Sequence, residues 1–119
     1  MSTLEDKARE LGRLVGQSGE YQAVKRANDA LNEDSDAVSV LRQMEQLRVD
    51  AQRMIERGEQ PGPDMEQQLD RLLEQVQGNA RYQNMVIAQE NFEKVMLRLN
   101  EWILEGIRKG AASPIITLS

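Results

Sequence analysis

Between Asn79 and Lys109 apolar residues recur at steps of three and four: Tyr82, Met85, Phe92, Met96, Leu99 and Ile103. That spacing places them on one face of an α-helix. Ala88, Val95 and Trp102 form a flanking row that widens the face, and Leu97 and Leu104 carry apolar surface round the side. Glu90, Glu93, Lys94, Arg98, Glu101 and Glu105 occupy the far side. Glu90 before Lys94 and Glu105 before Lys109 have the favourable i,i+4 order, each adding a few tenths of a kcal/mol. Gln89 interrupts the seam between Met85 and Phe92, where a polar residue either fixes register or sits at the seam's edge. The pattern predicts one unbroken helix over 79–109.

Four shorter helices precede it by the same criterion. Leu4, Ala8, Leu11 and Val15 give a helix over 3–15, opened by the capping-box spacing of Ser2 and Glu5. Gly16 then reads as a C′ glycine able to take positive φ. Gly12 and Gly16 also have GxxxG spacing, but its close-packing use belongs to membrane helices. Ser18 suits an N-cap for a helix over 19–31, with Tyr21, Val24, Ala27 and Leu31 inward. The acidic run at 32–36 opens a third helix, over 35–57, with Ala37, Val40, Leu41, Met44, Leu47, Ala51, Met54 and Ile55 on its apolar side. Gly58 stops it, and Pro61 and Pro63 flanking Gly62 make the main break in the chain. Pro63 fits the first turn of a fourth helix, over 63–77, burying Met65, Leu69, Leu72, Leu73 and Val76. Gly78 and Asn79 read as a stop and an N-cap leading into the long helix. The segment 110–119 lacks a helical period, and its IIT string has no partner strand, so it reads as a mobile end or a docking strand.

The predicted fold class is therefore all-α: helical hairpins and one long C-terminal helix, in a single domain over 1–119. A 31-residue helix is roughly 45 Å long, whereas a compact globule of 119 residues is only about 35 Å across. The overhang would expose an apolar face, and such patches mark contacts. A second copy of the same helix, related by a two-fold axis, covers it economically with a self-complementary patch. The sequence thus predicts a dimeric helical bundle with Phe92, Met96, Leu99, Trp102 and Ile103 at the dimer interface.

Candidate chemistry changes this picture little. Asp34, Asp36 and Glu45 fall at positions 1, 3 and 12 of a possible calcium loop, but Ser39 stands where that loop needs glycine. A helix N-terminus explains the acids better. The chain has no histidine and no cysteine, which removes the usual triad base, Glu-x-x-His di-iron motifs and thiolate metal sites. Carboxylate pairs such as Glu66 with Asp70 fall on polar faces, and no Walker or GxGxxG glycine pattern occurs. Neither an enzyme nor a cofactor is predicted. Five of the six methionines, Met44, Met54, Met65, Met85 and Met96, lie on apolar stripes, as core filler or as adaptable binding surface. The net charge is −5, with bases interspersed among acids, so a direct nucleic-acid contact is not expected. No apolar run reaches the length of a membrane span, and the start MSTLEDKARE lacks a signal-peptide pattern, which together predict a cytoplasmic protein.

Three strings resemble the YlbF/YmcA family of bacterial helical proteins, including its YheA-like members. They are LGRLVGQSGEYQAVKRANDALNEDSDA at 11–37, QRMIERGEQPGPDMEQQL at 52–69 and GNARYQNMVIAQENFEKVM at 78–96. The resemblance implies an all-helical, homodimer-forming regulator without catalytic residues, acting through protein–protein contacts. It further implies a paralogous helical protein or RNase Y as partner, in mRNA processing, sporulation, competence and biofilm formation. The alternative it leaves is a YheA-like structural or assembly module with no regulatory target. Some members ligate iron–sulfur clusters through cysteines; with none here, that property does not carry over.

Overall fold

The computed structural model describes residues 2–112, and these fold into helices alone. They are α1 (Ser2–Gly16), α2 (Gly19–Asn32), α3 (Ser35–Glu56), α4 (Pro63–Gln77) and α5 (Ala80–Ala112). Each sits where the hydrophobic period places it, to within a few residues at the ends. The last helix runs three residues past Lys109, through Gly110, Ala111 and Ala112. Nothing in those small residues stops a helix before Pro114, whose ring disfavours helical geometry in the residue before it. The remainder of the expected tail, 113–119, lies outside the described residues.

The turns follow side-chain chemistry. Ser18 caps α2, its Oγ accepting from Tyr21 N–H at 3.2 Å and donating to the Val15 carbonyl at 2.6 Å. Asp34 caps α3 by accepting from Ala37 N–H at 3.1 Å. Pro63 opens α4 at its first turn, where the missing N–H would have no helical acceptor in any case. Asn79 caps α5, its Oδ1 accepting from Tyr82 N–H at 3.0 Å.

Gly58 ends α3 with φ +80°. Glu59 N–H reaches back to the Met54 carbonyl at 2.8 Å and Gly58 N–H to Ile55 at 3.0 Å, the paired bonds of a Schellman stop. Gly16 does not behave in this way. It is the last residue of α1, and Gly58 alone among the described residues has positive φ. The α1–α2 turn is instead held from the far side, by Ser18 and by Gln22 Nε2 donating to the Gly16 carbonyl at 2.8 Å.

Packing occurs in two antiparallel pairs, α2 against α5 and α3 against α4, which meet where the α2–α3 and α4–α5 turns lie side by side. The α3–α4 pair is centred on Val40, Leu72 and Val76, with Leu41, Met44, Leu47 and Tyr82 packed round them. Burying each such side chain contributes about 1.5–3 kcal/mol, so this cluster holds the hairpin. In the other pair Tyr21 meets Phe92 with ring centroids 5.3 Å apart and planes inclined at 60°. Ala88 is the only buried residue of α5. The packed seam therefore runs through Met85, Ala88, Phe92, Val95 and Leu99, and Gln89 is exposed beside it. The small Ala88 lets α2 approach, so the seam is shifted one row from the stripe led by Met96.

Helix α1 packs mainly against α2, and its partly buried residues Leu11, Val15 and Gly16 lie toward their turn. The molecule is correspondingly open: the radius of gyration is 21.3 Å and the extents are 64 × 38 × 22 Å. A compact chain of this length would have a radius of gyration of about 13.5 Å.

Candidate functional site

The point where the two helix pairs meet is polar and fully bonded. Asn79 Nδ2 donates to Asp34 Oδ2 at 2.8 Å, across 45 residues of sequence. Arg81 donates to the Ala30 carbonyl at 2.8 Å. The Asn79 hydrogen bond, more than any other contact, holds the Asp34 carboxyl below the ordinary aspartate range; the Ala37 N–H and the Arg81 charge act in the same direction. One asparagine thus caps α5 and ties it to the cap of α3. This is a structural latch, and the expected helix-start role of the acids at 32–36 is what Asp34 performs.

A polar hollow of about 420 Å³ lies nearby, lined by Asn32, Ser35, Ser39 and Arg42 among others. Glu33 lines it beside the two serines, but neither serine hydroxyl is hydrogen-bonded to that carboxylate; Ser39 Oγ accepts from Gln43 Nε2. Among the described residues no group of three His, Cys, Asp or Glu side chains could hold a metal ion.

Two apolar surfaces are larger. The first is a groove of about 680 Å³ between α3 and α4, floored by Leu41, Met44, Leu47, Ala51, Met65 and Leu69. On its rim Arg48 holds Glu45 by two hydrogen bonds, of 2.6 and 3.0 Å. Ile55 and Leu69 were expected on buried faces but are 57% and 37% exposed here. Periodicity says which side of a helix is apolar; it does not say whether a third layer covers that side.

The second surface is the distal half of α5. α2 lies along α5 from Arg81 to about Phe92, and partial burial continues on that side through Val95 and Leu99. Beyond Phe92, Met96 is 43% exposed, Trp102 60%, Ile103 45% and Ile107 58%. Of the five residues expected at a dimer interface, the structure brings Met96, Trp102 and Ile103 onto this open face. Leu99 is half-buried at its edge. Phe92 packs on Tyr21 of its own chain. Ile107 belongs with the open set, and its signal was its position four residues after Ile103. The expected ion pairs Glu90–Lys94 and Glu105–Lys109 are not formed; those that close among the described residues are Glu5–Arg9, Glu45–Arg48 and Arg57–Glu59. Exposed pairs gain little against the entropy of holding two long side chains.

None of the helices described is long and apolar enough to cross a membrane. Fold and surfaces together define the class: an all-α protein of five helices built on a long last helix, with apolar faces open to solvent. The chain belongs to the YlbF/YmcA family, whose model, described as "Control of competence regulator ComK, YlbF/YmcA", matches residues 4–108. A UPF0342 protein of Limosilactobacillus reuteri is 28% identical over 103 residues, covering 87% of this chain and 84% of that one. A UPF0342 protein of Streptococcus pneumoniae is 27% identical, covering 81% and 92% respectively. The solved structure of a protein of unknown function (DUF964) from Bacillus stearothermophilus has the same fold. Its TM-score is 0.68 at 17% identity, over 94% of this chain and 98% of that one.

Proposed function

We propose that this protein is a non-enzymatic regulatory adaptor that works through protein–protein contacts and associates with a second copy of itself through the distal half of α5. The observation that carries the proposal is the open apolar face of Met96, Trp102, Ile103 and Ile107 on a helix whose own chain covers only its first half. Contiguous exposed patches of this kind mark interaction sites. A tryptophan on this face suits an anchor, since it combines large apolar area with one N–H donor. The family's printed description, control of a competence regulator, supports a regulatory role. Within that role the finer reading is contact with RNase Y or a paralogous helical protein in the cytoplasm.

A second reading, a structural or assembly module without a regulatory target, is favoured by relatives of nearly full length that are named only as UPF0342 proteins. Retention of RNase Y or a paralogue on the tagged protein in its native host separates the two.

Sedimentation equilibrium tests the self-association. The wild type should sediment as a dimer at roughly tens of micromolar, and Trp102→Glu with Ile103→Lys should sediment as a monomer of unchanged helicity. Both residues are exposed in the single chain, so the substitutions should cost the fold little. Loss of a tryptophan anchor weakens an interface by about 2 kcal/mol or more, near 30-fold in Kd. A wild type that stays monomeric at that concentration would refute the proposal.

A further inference from the structure

We infer that the groove between α3 and α4 is the seat for the distal half of α5 of a second copy, with the two copies exchanging these contacts reciprocally. This seating rests on the self-association proposed above and assigns it a receptor. The alternative arrangement pairs the two α5 faces directly and leaves both grooves empty.

Length, reach, charge and area favour the groove. From Leu41 to Ile55 it runs along fifteen residues of α3, about 21 Å of helix. The uncovered part of α5, from Met96 to Ala112, is about 24 Å long. An antiparallel helix pair open on one side offers two ridges between which a third helix packs. The chain cannot fill its own groove. The distal half of α5 is the far end of a continuous helix whose other end is tied by Asn79 to Asp34, at the start of α3. The groove and that far end therefore lie on separate arms of the molecule, and a second copy must bring them together.

Charge points the same way. The groove itself is lined by Glu45 and Glu66 against Arg48, and α4 beside it adds Asp64, Asp70 and Glu74 against the single base Arg71. By helical position, Arg98 and Lys109 flank Trp102 on one edge of the distal α5 face and Arg108 follows the other edge; with Glu101 and Glu105 counted, the stretch from Met96 to Ala112 keeps a net charge of +1. Helix α1, also without cover along most of its length, lacks this complementarity, since Lys7, Arg9 and Arg13 are balanced by Glu5, Asp6 and Glu10. In a two-fold arrangement each copy contributes both a face and a groove. The open apolar side chains of distal α5, together with Ile55 and Leu69, are 37–64% exposed in the single chain, and a standard-sized interface covers about 800 Å² of such surface per partner.

The test uses the full-length chain in sedimentation equilibrium, with circular dichroism as the control for folding. Ile55→Asp should raise the dimer Kd about tenfold or more, although Ile55 lies on neither the α2–α5 pair nor the distal α5 face. Glu66→Lys with Asp70→Lys should also weaken the dimer, and adding Arg98→Glu with Lys109→Glu to the same chain should restore it. Ile55→Asp dimerising as the wild type does, while Trp102→Glu with Ile103→Lys dissociates, would overturn the groove and leave self-association through α5 standing. Failure of the charge exchange to restore the dimer would also overturn this seating. A monomeric wild type would overturn both.

Discussion

Glycine has different meanings at different positions in this chain. Gly58 sits at φ +80°, where an added Cβ meets no atom within 4 Å but the backbone itself is strained. Gly78 also follows a helix, yet its φ is −80°, and an added Cβ would lie 3.7 Å from the Gln75 and Glu74 carbonyls, an ordinary contact. Gly58→Ala should therefore destabilise by about 1–2 kcal/mol, the usual penalty of a left-handed L-residue. Gly78→Ala should be neutral or stabilise by up to about 1 kcal/mol, by restricting the unfolded chain. Urea unfolding of the two variants checks the contrast, and equal losses would contradict it. Sequence alone reads both as helix stops; only φ separates them. Gly16, read in the same way, ends α1 without left-handed geometry because Ser18 and Gln22 supply the stop from the other side.

At the scale of elements, the helices form from local period and caps, and the pairs are joined by one long-range polar contact. Asp34 caps α3 while accepting from Asn79, which caps α5. These bonds hold the Asp34 carboxyl below its ordinary value. A depressed carboxylate contributes stability that is fully present above the unfolded pKa, about 3.9, and is lost as pH falls through the folded value. The wild type should accordingly exceed Asp34→Asn in urea midpoint near neutral pH, and the difference should narrow as pH is lowered below about 4. An advantage that stays constant down to about pH 2 would show that the Asp34 charge plays no part in the latch. The caps at Ser18 and Asn79 were legible because each is a short polar side chain just before an apolar period. The acidic run at 32–36 marked the start of α3 without singling out Asp34. The Asp34–Asn79 bond was not legible, since 45 residues separate its partners.

For the whole molecule, openness is the governing fact. Only Leu31, Ala37, Val40, Leu72, Val76 and Ala88 form the buried apolar set among the described residues, too few to draw the five helices into one globule. Monomer enforced by Trp102→Glu with Ile103→Lys should therefore stay extended in X-ray scattering. Its radius of gyration should lie near the 21.3 Å of the structure, well above the roughly 13.5 Å of a compact chain. Scattering near the compact value would mean that α1 and distal α5 fold back onto the core, and the open faces would lose their meaning as contact surfaces.

The sequence by itself determined the five helices, their polar starts and the break at Gly58–Pro63, because these depend on contacts within a few residues of one another. It also indicated that the last helix would outrun a compact monomer, since helix length follows from residue count. The tertiary structure decided which apolar positions are covered. It drew the α5 seam through Ala88, turned Phe92 inward onto Tyr21, and left Ile55 and Leu69 lining an open groove. Apolar period specifies a face. What that face meets depends on the directions in which the helices leave their turns. Here those directions are held by the Asn79–Asp34 and Arg81–Ala30 hydrogen bonds and by Tyr82 packing on the Val40–Val76 cluster, all between residues far apart in the chain.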